Sequence, residues 1–268
     1  ARIAPFRRDL VLLFDASGSM LGFPLESARR LGARLLESLR PEDRFDIVTF
    51  NIQTKCLFGK LTAGGDASAK SAEEFLSSQE ARGGTVLKPA VEAAYRYADP
   101  SRPLNVVILS DGLTEQGERA KLVEIIRSRP SKARVFCIGF GNDVNRGLLE
   151  QMAEESGGLA AFLSREDNLA RQAHAFRRKL LRPIATDLKV EFGGIQVHDV
   201  EPQRLPNLYH GTPVRLYGRY KDSGAVTIHL KAKVGETPIE RTLEIPFPEE
   251  VDDLVKQGGA SYFNDFLA

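Results

Sequence analysis

The chain has 268 residues, 42% hydrophobic and 27% charged, with 37 Lys and Arg against 36 Asp and Glu for a net charge of +1. That length predicts one or two domains, and the balanced charge excludes a strongly basic nucleic-acid binder or an acidic disordered tail as the main function. Two cysteines exclude a disulfide scaffold and a zinc site built mainly of thiolates, and apolar runs such as residues 10–14 fall far short of the roughly 20 residues of a membrane span.

The opening Ala1-Arg2-Ile3, followed by Arg7-Arg8, does not read as a signal peptide. Residues 10–14 are continuously apolar, as a strand buried on both faces is. Residues 24–39 predict a helix: Leu25, Ala28, Leu31, Leu35, Leu36 and Leu39 recur at spacings of three and four, and Pro24 suits a first turn. A second strand is expected at 45–50, with 54–58 as a short partner at the sheet edge. Helices follow at 69–77 and 86–97, the second with Pro89 in its first turn. Then come a strand at 104–109, a helix at 115–127, a strand at 134–140 and a helix at 146–155 closed by Gly157-Gly158. A last short strand falls at 159–163 and a last helix at 167–181, stopped by Pro183. Strands alternating with helices imply parallel βαβ units with right-handed crossovers.

Beyond Pro183 the period changes from helical to twofold. Residues 186–192, 214–220, 225–233 and 239–245 alternate apolar and polar between Gly, Pro and Asn signals, which predicts antiparallel strands. The charge changes too: 9 basic and 13 acidic residues from 183 onward, against 28 and 23 before. The fold class expected is α/β. A doubly wound, mostly parallel sheet flanked by helices spans 1–182. A smaller antiparallel β-sandwich-like domain spans 183–248, and 249–268 form a tail that is helical or loose.

In open parallel sheets, ligands bind outside the carboxyl ends of the strands. The first strand runs into Asp15-Ala16-Ser17-Gly18-Ser19, the 104–109 strand into Ser110-Asp111-Gly112, and Gly83-Gly84-Thr85 precedes a helix between them. Two carboxylates and three hydroxyls thus gather at one sheet edge. All are hard oxygen donors, which select Mg²⁺, Ca²⁺ or Mn²⁺ over zinc or copper. Three hydroxyls and waters held by Asp15 and Asp111 supply five positions of an octahedral ion, leaving a sixth for docking. Taken singly, each segment also reads as a helix cap or a turn.

Asp-x-Ser-x-Ser, a distant Thr after Gly-Gly and a later Ser-Asp-Gly resemble, in order, the metal-ion-dependent adhesion site of von Willebrand factor type A domains. The resemblance covers about residues 8–181. It implies a Rossmann-like sheet and Mg²⁺, with Mn²⁺ or Ca²⁺ as alternatives. It further implies Ser17, Ser19 and Thr85 as direct ligands, with Asp15 and Asp111 acting directly or through water. The partner would be a protein that donates an Asp or Glu carboxylate to the metal, with no nucleic acid and no membrane insertion. Met20-Leu21-Gly22 stands where integrins carry the acidic residues of a neighbouring calcium site, so that site is not expected. Residues 201–211 and 216–220 are similar to the segment after the A domain in inter-alpha-trypsin inhibitor heavy chains and their bacterial relatives. The resemblance points to a bacterial member and leans toward the cell envelope or outside. The β-rich VIT domain of that family is not seen here, and the only Asp-Pro is Asp99-Pro100, so hyaluronan coupling is not implied. Pro206 and Gly211 are expected to bend the chain, with Leu205 and Leu208 plugging the sandwich.

Partner selectivity would come from loops 20–23, 79–82 and 113–116, with Met20, Leu21 and Phe23 as contacts where they do not pack inward. Two other readings stay open: a metal-dependent hydrolase with Glu115 as its one spare carboxylate, and a structural domain with a degenerate, metal-free site. Other signals fall short. His174, His198, His210 and His229 are scattered without ligand spacing, and His198 and His229 are expected on solvated strand faces. Gly139-Phe140-Gly141 lacks the third glycine of a dinucleotide loop, Val144 standing there, and Asn142-Asp143 is expected to cap the next helix. Cys137 reads as a buried strand residue, Cys56 as a free thiol near an edge, and Arg177-Arg178-Lys179 as a solvated helix end.

Overall fold

The computed structural model describes residues 9–37, 39–114, 117–167, 171, 183–203, 205–209, 212–221, 223–234 and 237–247. The expected 167–181 helix, the 249–268 tail, His174, His210, Glu115 and the 177–179 cluster lie outside this set, apart from Asp167 and Arg171. The chain divides into two compact units, Ala1–Leu180 and Leu181–Ala268.

In the first unit, β1 (Asp9–Asp15), β2 (Arg44–Phe50), β5 (Leu104–Ser110), β6 (Ala133–Phe140) and β7 (Ala160–Leu163) pair in parallel. The short β3 (Thr54–Cys56) and β4 (Thr62–Ala63) pair antiparallel with β2 at the edge. β3 matches the expected partner at 54–58, whereas the two residues of β4 carry no readable period. The order is β3-β2-β1-β5-β6-β7. Every residue of β1 and of β5 is buried, Asn105 and Ser110 included, as the apolar runs 10–14 and 106–109 require.

Among the described residues five helices cover the faces: α1 (Phe23–Glu37), α2 (Asp66–Ser77), α3 (Lys88–Tyr95), α4 (Glu118–Arg127) and α5 (Arg146–Ser156). Alternation along the strands sends Val11, Leu13, Val106 and Ile108 into one core cluster with Leu87, Val91, Leu122, Ile126, Leu148 and Met152 from the α3, α4 and α5 segments. The opposite face meets α1, where Gly32 permits close approach: a Cβ there would lie 3.1 Å from Leu12 and Leu76. Leu25, Ala28, Leu31, Leu35 and Leu36 of α1 are buried as expected. Leu39 lies beyond the helix and is half-buried, its N–H donating to Leu36 O at 3.0 Å. At the far end of the sheet, buried Asp9 accepts Arg44 Nε at 2.9 Å and Nη2 at 2.6 Å, with Arg102 Nε at 3.0 Å. Buried Asp46 accepts from Phe58 N at 3.0 Å and Tyr97 Oη at 2.8 Å, tying the edge segment to the chain after α3.

The second unit is antiparallel. β8 (Pro183–Gly193), β10 (Leu208–Tyr209), β12 (Gly224–Val234) and β13 (Thr237–Phe247) form a sheet ordered β10-β8-β12-β13, and β9 (Val197–Glu201) pairs with β11 (Tyr217–Tyr220). β9 and β10 go beyond the strands expected from the sequence, and the strand expected at 214–220 begins only at Tyr217. The alternation works as predicted in β12: Val226 and Ala232 are buried, while Lys231 and Lys233 on the other face reach Glu191 and Asp187 of β8, each at 3.0 Å; in β13 Ile239 and Leu243 stay exposed. Tyr209 is the buried plug of the 205–209 segment, Leu205 and Leu208 being only half-buried. His198 and His229 are exposed. Among the described residues no helix is long and apolar enough to cross a membrane.

The bend after α5 gives a sharp test. A Cβ at Gly158 would fall 1.9 Å from Val135 O, a clash with backbone that no rotamer relieves. Gly158→Ala is expected to destabilise by about 3 kcal/mol in urea unfolding. Gly147→Ala, in α5 with open space around it, should stabilise by about 0.4–1 kcal/mol.

Candidate metal centre

The strand order places the candidate residues together. β1 sits between β2 and β5. The chain leaves the carboxyl end of β1 toward one side of the sheet and that of β5 toward the other, which opens a crevice at the switch point. Phe14 pairs with Leu109, so Asp15 and Ser110 end neighbouring strands. Asp15 Oδ2 accepts Ser110 Oγ at 2.5 Å, and Asp15 Oδ1 accepts Ser17 N at 2.8 Å. Ser110 Oγ in turn accepts Gly112 N at 2.9 Å, and Asp111 Oδ1 accepts Leu113 N at 2.9 Å. Ser17 Oγ and Ser19 Oγ are 3.1 Å apart.

Backbone bonds fasten the loops to one another. Gly18 N donates to Gly83 O at 2.9 Å and Arg82 N to Ala16 O at 2.9 Å, bringing the Gly83-Gly84-Thr85 turn against the first loop. A Cβ at Gly18 would lie 3.2 Å from Gly83 O, and Gly83 has φ +75°, so both positions favour glycine. Asn145 N donates to Asp111 O at 2.9 Å. Gly112, with φ +72°, passes so close to α5 that a Cβ would meet Leu149 at 2.9 Å.

The five predicted residues therefore lie on three loops, of which the first is bonded to each of the other two. Asp15, Ser17, Thr85 and Asp111 are buried; Ser19 is exposed. The site has a buried floor and an open rim. Among the described residues neither carboxylate forms an ion pair with a basic side chain, and no three His, Cys, Asp or Glu cluster as metal ligands. Burial pushes the Asp15 carboxyl up from its ordinary 3.8 to about 6; the Ser110 and Ser17 bonds pull it down, and the Asp111 charge pushes it further up. A divalent cation against these oxygens would relieve that penalty, and the donors are all hard. The residues fit the ion.

Of the cap-or-turn alternative the turns are present, Asp15 and Asp111 each accepting the N–H two residues on, while the caps are not. Ser17 and Leu87, at the N-caps of the 3₁₀ turn 18–20 and of α3, make no side-chain cap bond. The expected cap at Asn142-Asp143 is corrected: Asn145 Oδ1 accepts Leu148 N at 3.3 Å, since only this residue directly precedes α5. Gly139 serves packing and not a phosphate, a Cβ there meeting Val144 at 2.6 Å and Phe162 at 2.7 Å. Of the foreseen loop contacts, Met20 is buried, Phe23 half-buried and Leu21 exposed. The role of Ser110 was missed. Its signal was a hydroxyl at a strand end beside Asp111.

A family model described as von Willebrand factor type A domain matches residues 8–162. Similar curated proteins include inter-alpha-trypsin inhibitor heavy chain H4 of Homo sapiens, 25% identical over 229 residues, covering 81% of this chain and 25% of that one. Heavy chain H1 of Mesocricetus auratus is 24% identical over 265 residues, covering 94% and 29%. The chain thus spans about a quarter of the length of these relatives. Among solved structures, a von Willebrand factor type A protein from Catenulispora acidiphila superposes with TM-score 0.67 at 19% identity, over 97% of this chain and 72% of that one. Proximal thread matrix protein 1 from the mussel byssus, in a structure described as having a zinc occupied MIDAS motif, gives TM-score 0.53 at 19% identity, over 65% and 45%.

The cost of the buried carboxylate is measurable without metal. Between pH 3.8 and about 6 the folded chain keeps the Asp15 proton that the unfolded chain releases. This group's contribution to stability is therefore full below about pH 4, is lost as pH rises through about 6, and is level above. Asp15→Asn keeps an acceptor for Ser17 N and removes the charge. In EDTA at pH 8 the variant should be more stable than wild type by roughly 1–3 kcal/mol in urea unfolding, and the decline from pH 4 to 6 should flatten.

Proposed function

The chain belongs to the von Willebrand factor type A domain family, and from that premise we propose that it is a divalent-metal-dependent protein-binding module for adhesion or complex assembly. Domains of this family take part in protein–protein interaction and adhesion. The observation that carries the reading is the pair of buried carboxylates, Asp15 and Asp111, set among hydroxyls at the switch point with no basic side chain paired to them among the described residues.

In this reading Ser17, Ser19 and Thr85 hold the ion directly, and Asp15 and Asp111 hold it directly or through water. Mg²⁺ suits the donor set, with Mn²⁺ and Ca²⁺ as alternatives. The zinc occupied motif of the mussel protein supports a divalent ion in a site of this kind. When bound, the cation supplies a Lewis-acidic position for a partner's Asp or Glu carboxylate. The chain's own residues do the rest. Ser110 orients Asp15 through its 2.5 Å bond, Leu113 N holds one oxygen of Asp111, and the Gly18–Gly83 bond keeps the Thr85 loop in place. We place the A domain at 1–182 and an antiparallel β domain serving as a stalk at 183–248, with a tail beyond. In this reading the chain works by binding, with both carboxylates committed to the ion; Glu115, the spare carboxylate of the hydrolase reading, lies outside the described residues.

Thermal melts in EDTA, then with Mg²⁺, Mn²⁺ or Ca²⁺ restored, test the site. A ligand at about 100 times its dissociation constant adds about 2.7 kcal/mol, a rise of about 5–10 °C for a unit of this size. Asp15→Ala should abolish the rise, and partner capture from an extract should be lost in EDTA. No rise in wild type at millimolar metal would sink the proposal.

A further inference from the structure

Among the described residues of the first unit, the exposed large hydrophobic side chains are Leu21, Ile52 and Leu113, at 74%, 63% and 41%. Scattered apolar residues on a surface are ordinary, but these three are not scattered. Leu21 follows Ser19 by two residues, its N–H donating to Gly18 O at 3.2 Å. Ile52 lies against the Gly83-Gly84 turn, where built Cβ atoms would come within 3.6–3.8 Å of its side chain. Leu113 donates its N–H to Asp111 Oδ1. Each stands on or against a different one of the three loops that carry the candidate ligands.

The same loops are almost free of charge. Residues 17–22, 51–53, 83–87 and 112–114 contain no Lys, Arg, Asp or Glu in a chain that is 27% charged. The charges directly adjoining these segments are Arg82, Lys88, Asp111 and Glu115. Of these, Asp111 belongs to the site itself, and Lys88 is paired with Glu92 on α3. Arg82 is exposed at the edge of the Gly83 turn, but over the uncharged stretches themselves a second charge beside the partner's carboxylate would lose hydration without a counter-charge, whereas an apolar neighbour would bury surface against Leu21, Ile52 or Leu113.

We propose that the docking segment of the partner presents its Asp or Glu flanked by large aliphatic or aromatic side chains, and that Leu21, Ile52 and Leu113 form the rim that reads those flanks. The proposal rests on the metal-docking reading above and adds the chemistry of the partner to it. The rim residues select; they do not hold the ion.

A random peptide library displayed on phage, panned on the whole chain in millimolar Mg²⁺ and eluted with EDTA, tests it. The eluted peptides should carry an acidic residue next to Leu, Ile, Val, Met, Phe or Tyr. A synthetic peptide of that kind should bind the Leu21→Ser, Ile52→Ser, Leu113→Ser triple variant about tenfold or more weakly than wild type. The Mg²⁺-dependent melting shift of the variant should equal that of wild type, because the ligands are intact and the changed side chains are exposed. Acidic peptides without apolar neighbours, or equal binding to the triple variant, would overturn the rim and leave metal docking standing. An Mg²⁺ shift in wild type with no EDTA-eluted peptides would overturn carboxylate docking and the rim together.

Discussion

A carboxylate taken out of water must be given a partner or keep its proton, and the first unit handles this in two ways. Asp9 is met by Arg44 and Arg102, and Asp46 by Tyr97 Oη and backbone N–H groups. Asp15 is met by a hydroxyl and one N–H, with a second carboxylate nearby that pushes its proton affinity up. Two hydrogen bonds offset part of the desolvation cost of an anion but supply no opposite charge. What sets the switch-point crevice apart is that two buried carboxylates, Asp15 and Asp111, gather there with no ion pair among the described residues.

The rest of the unit serves to hold the loops of that crevice still. The largely buried parallel strands and the helices on both faces fix where β1 and β5 end, and neither strand can slip by a residue without turning its side chains to the wrong face. The loops then lock to each other through main-chain bonds, Gly18 to Gly83, Arg82 to Ala16 and Asn145 to Asp111. Gly112 lets the third loop pass over Leu149 at a distance no Cβ tolerates. Positions set by backbone and packing need little reordering when an ion or partner arrives, which is the physical content of preorganisation.

The second unit answers a different constraint. Its central strands carry charge on one face and apolar residues on the other, with the Lys231–Glu191 and Lys233–Asp187 pairs crossing between β12 and β8. Alternation of period two specifies the register strongly because a one-residue slip would exchange the faces.

Much of this was legible from residues alone. Apolar runs announced β1 and β5, three-and-four spacing announced α1, and the change of period after Pro183 announced antiparallel strands, because side-chain direction follows directly from the local backbone repeat. The candidate donors Asp15, Ser17, Ser19 and Asp111 were legible as hard oxygens at strand ends, and Thr85 as one before a helix. Short elements such as β4, β9 and β10 were not, since two to five residues hold too little period to read. Nor was Asn145 as the cap, because three neighbouring candidates compete and only the helix's first turn decides. Sequence by itself determined which residues are apolar, which are hard donors and where the chain must turn, since these depend on residue type and spacing within a few positions. Tertiary structure alone decided that β1 lies beside β5, that Ser110 therefore bonds Asp15 across 95 positions of chain, that Met20 faces inward while Leu21 faces out, and that Ile52 lies against the Gly83-Gly84 turn. Those facts arise from strand order and loop packing, which bring together residues that no local spacing connects.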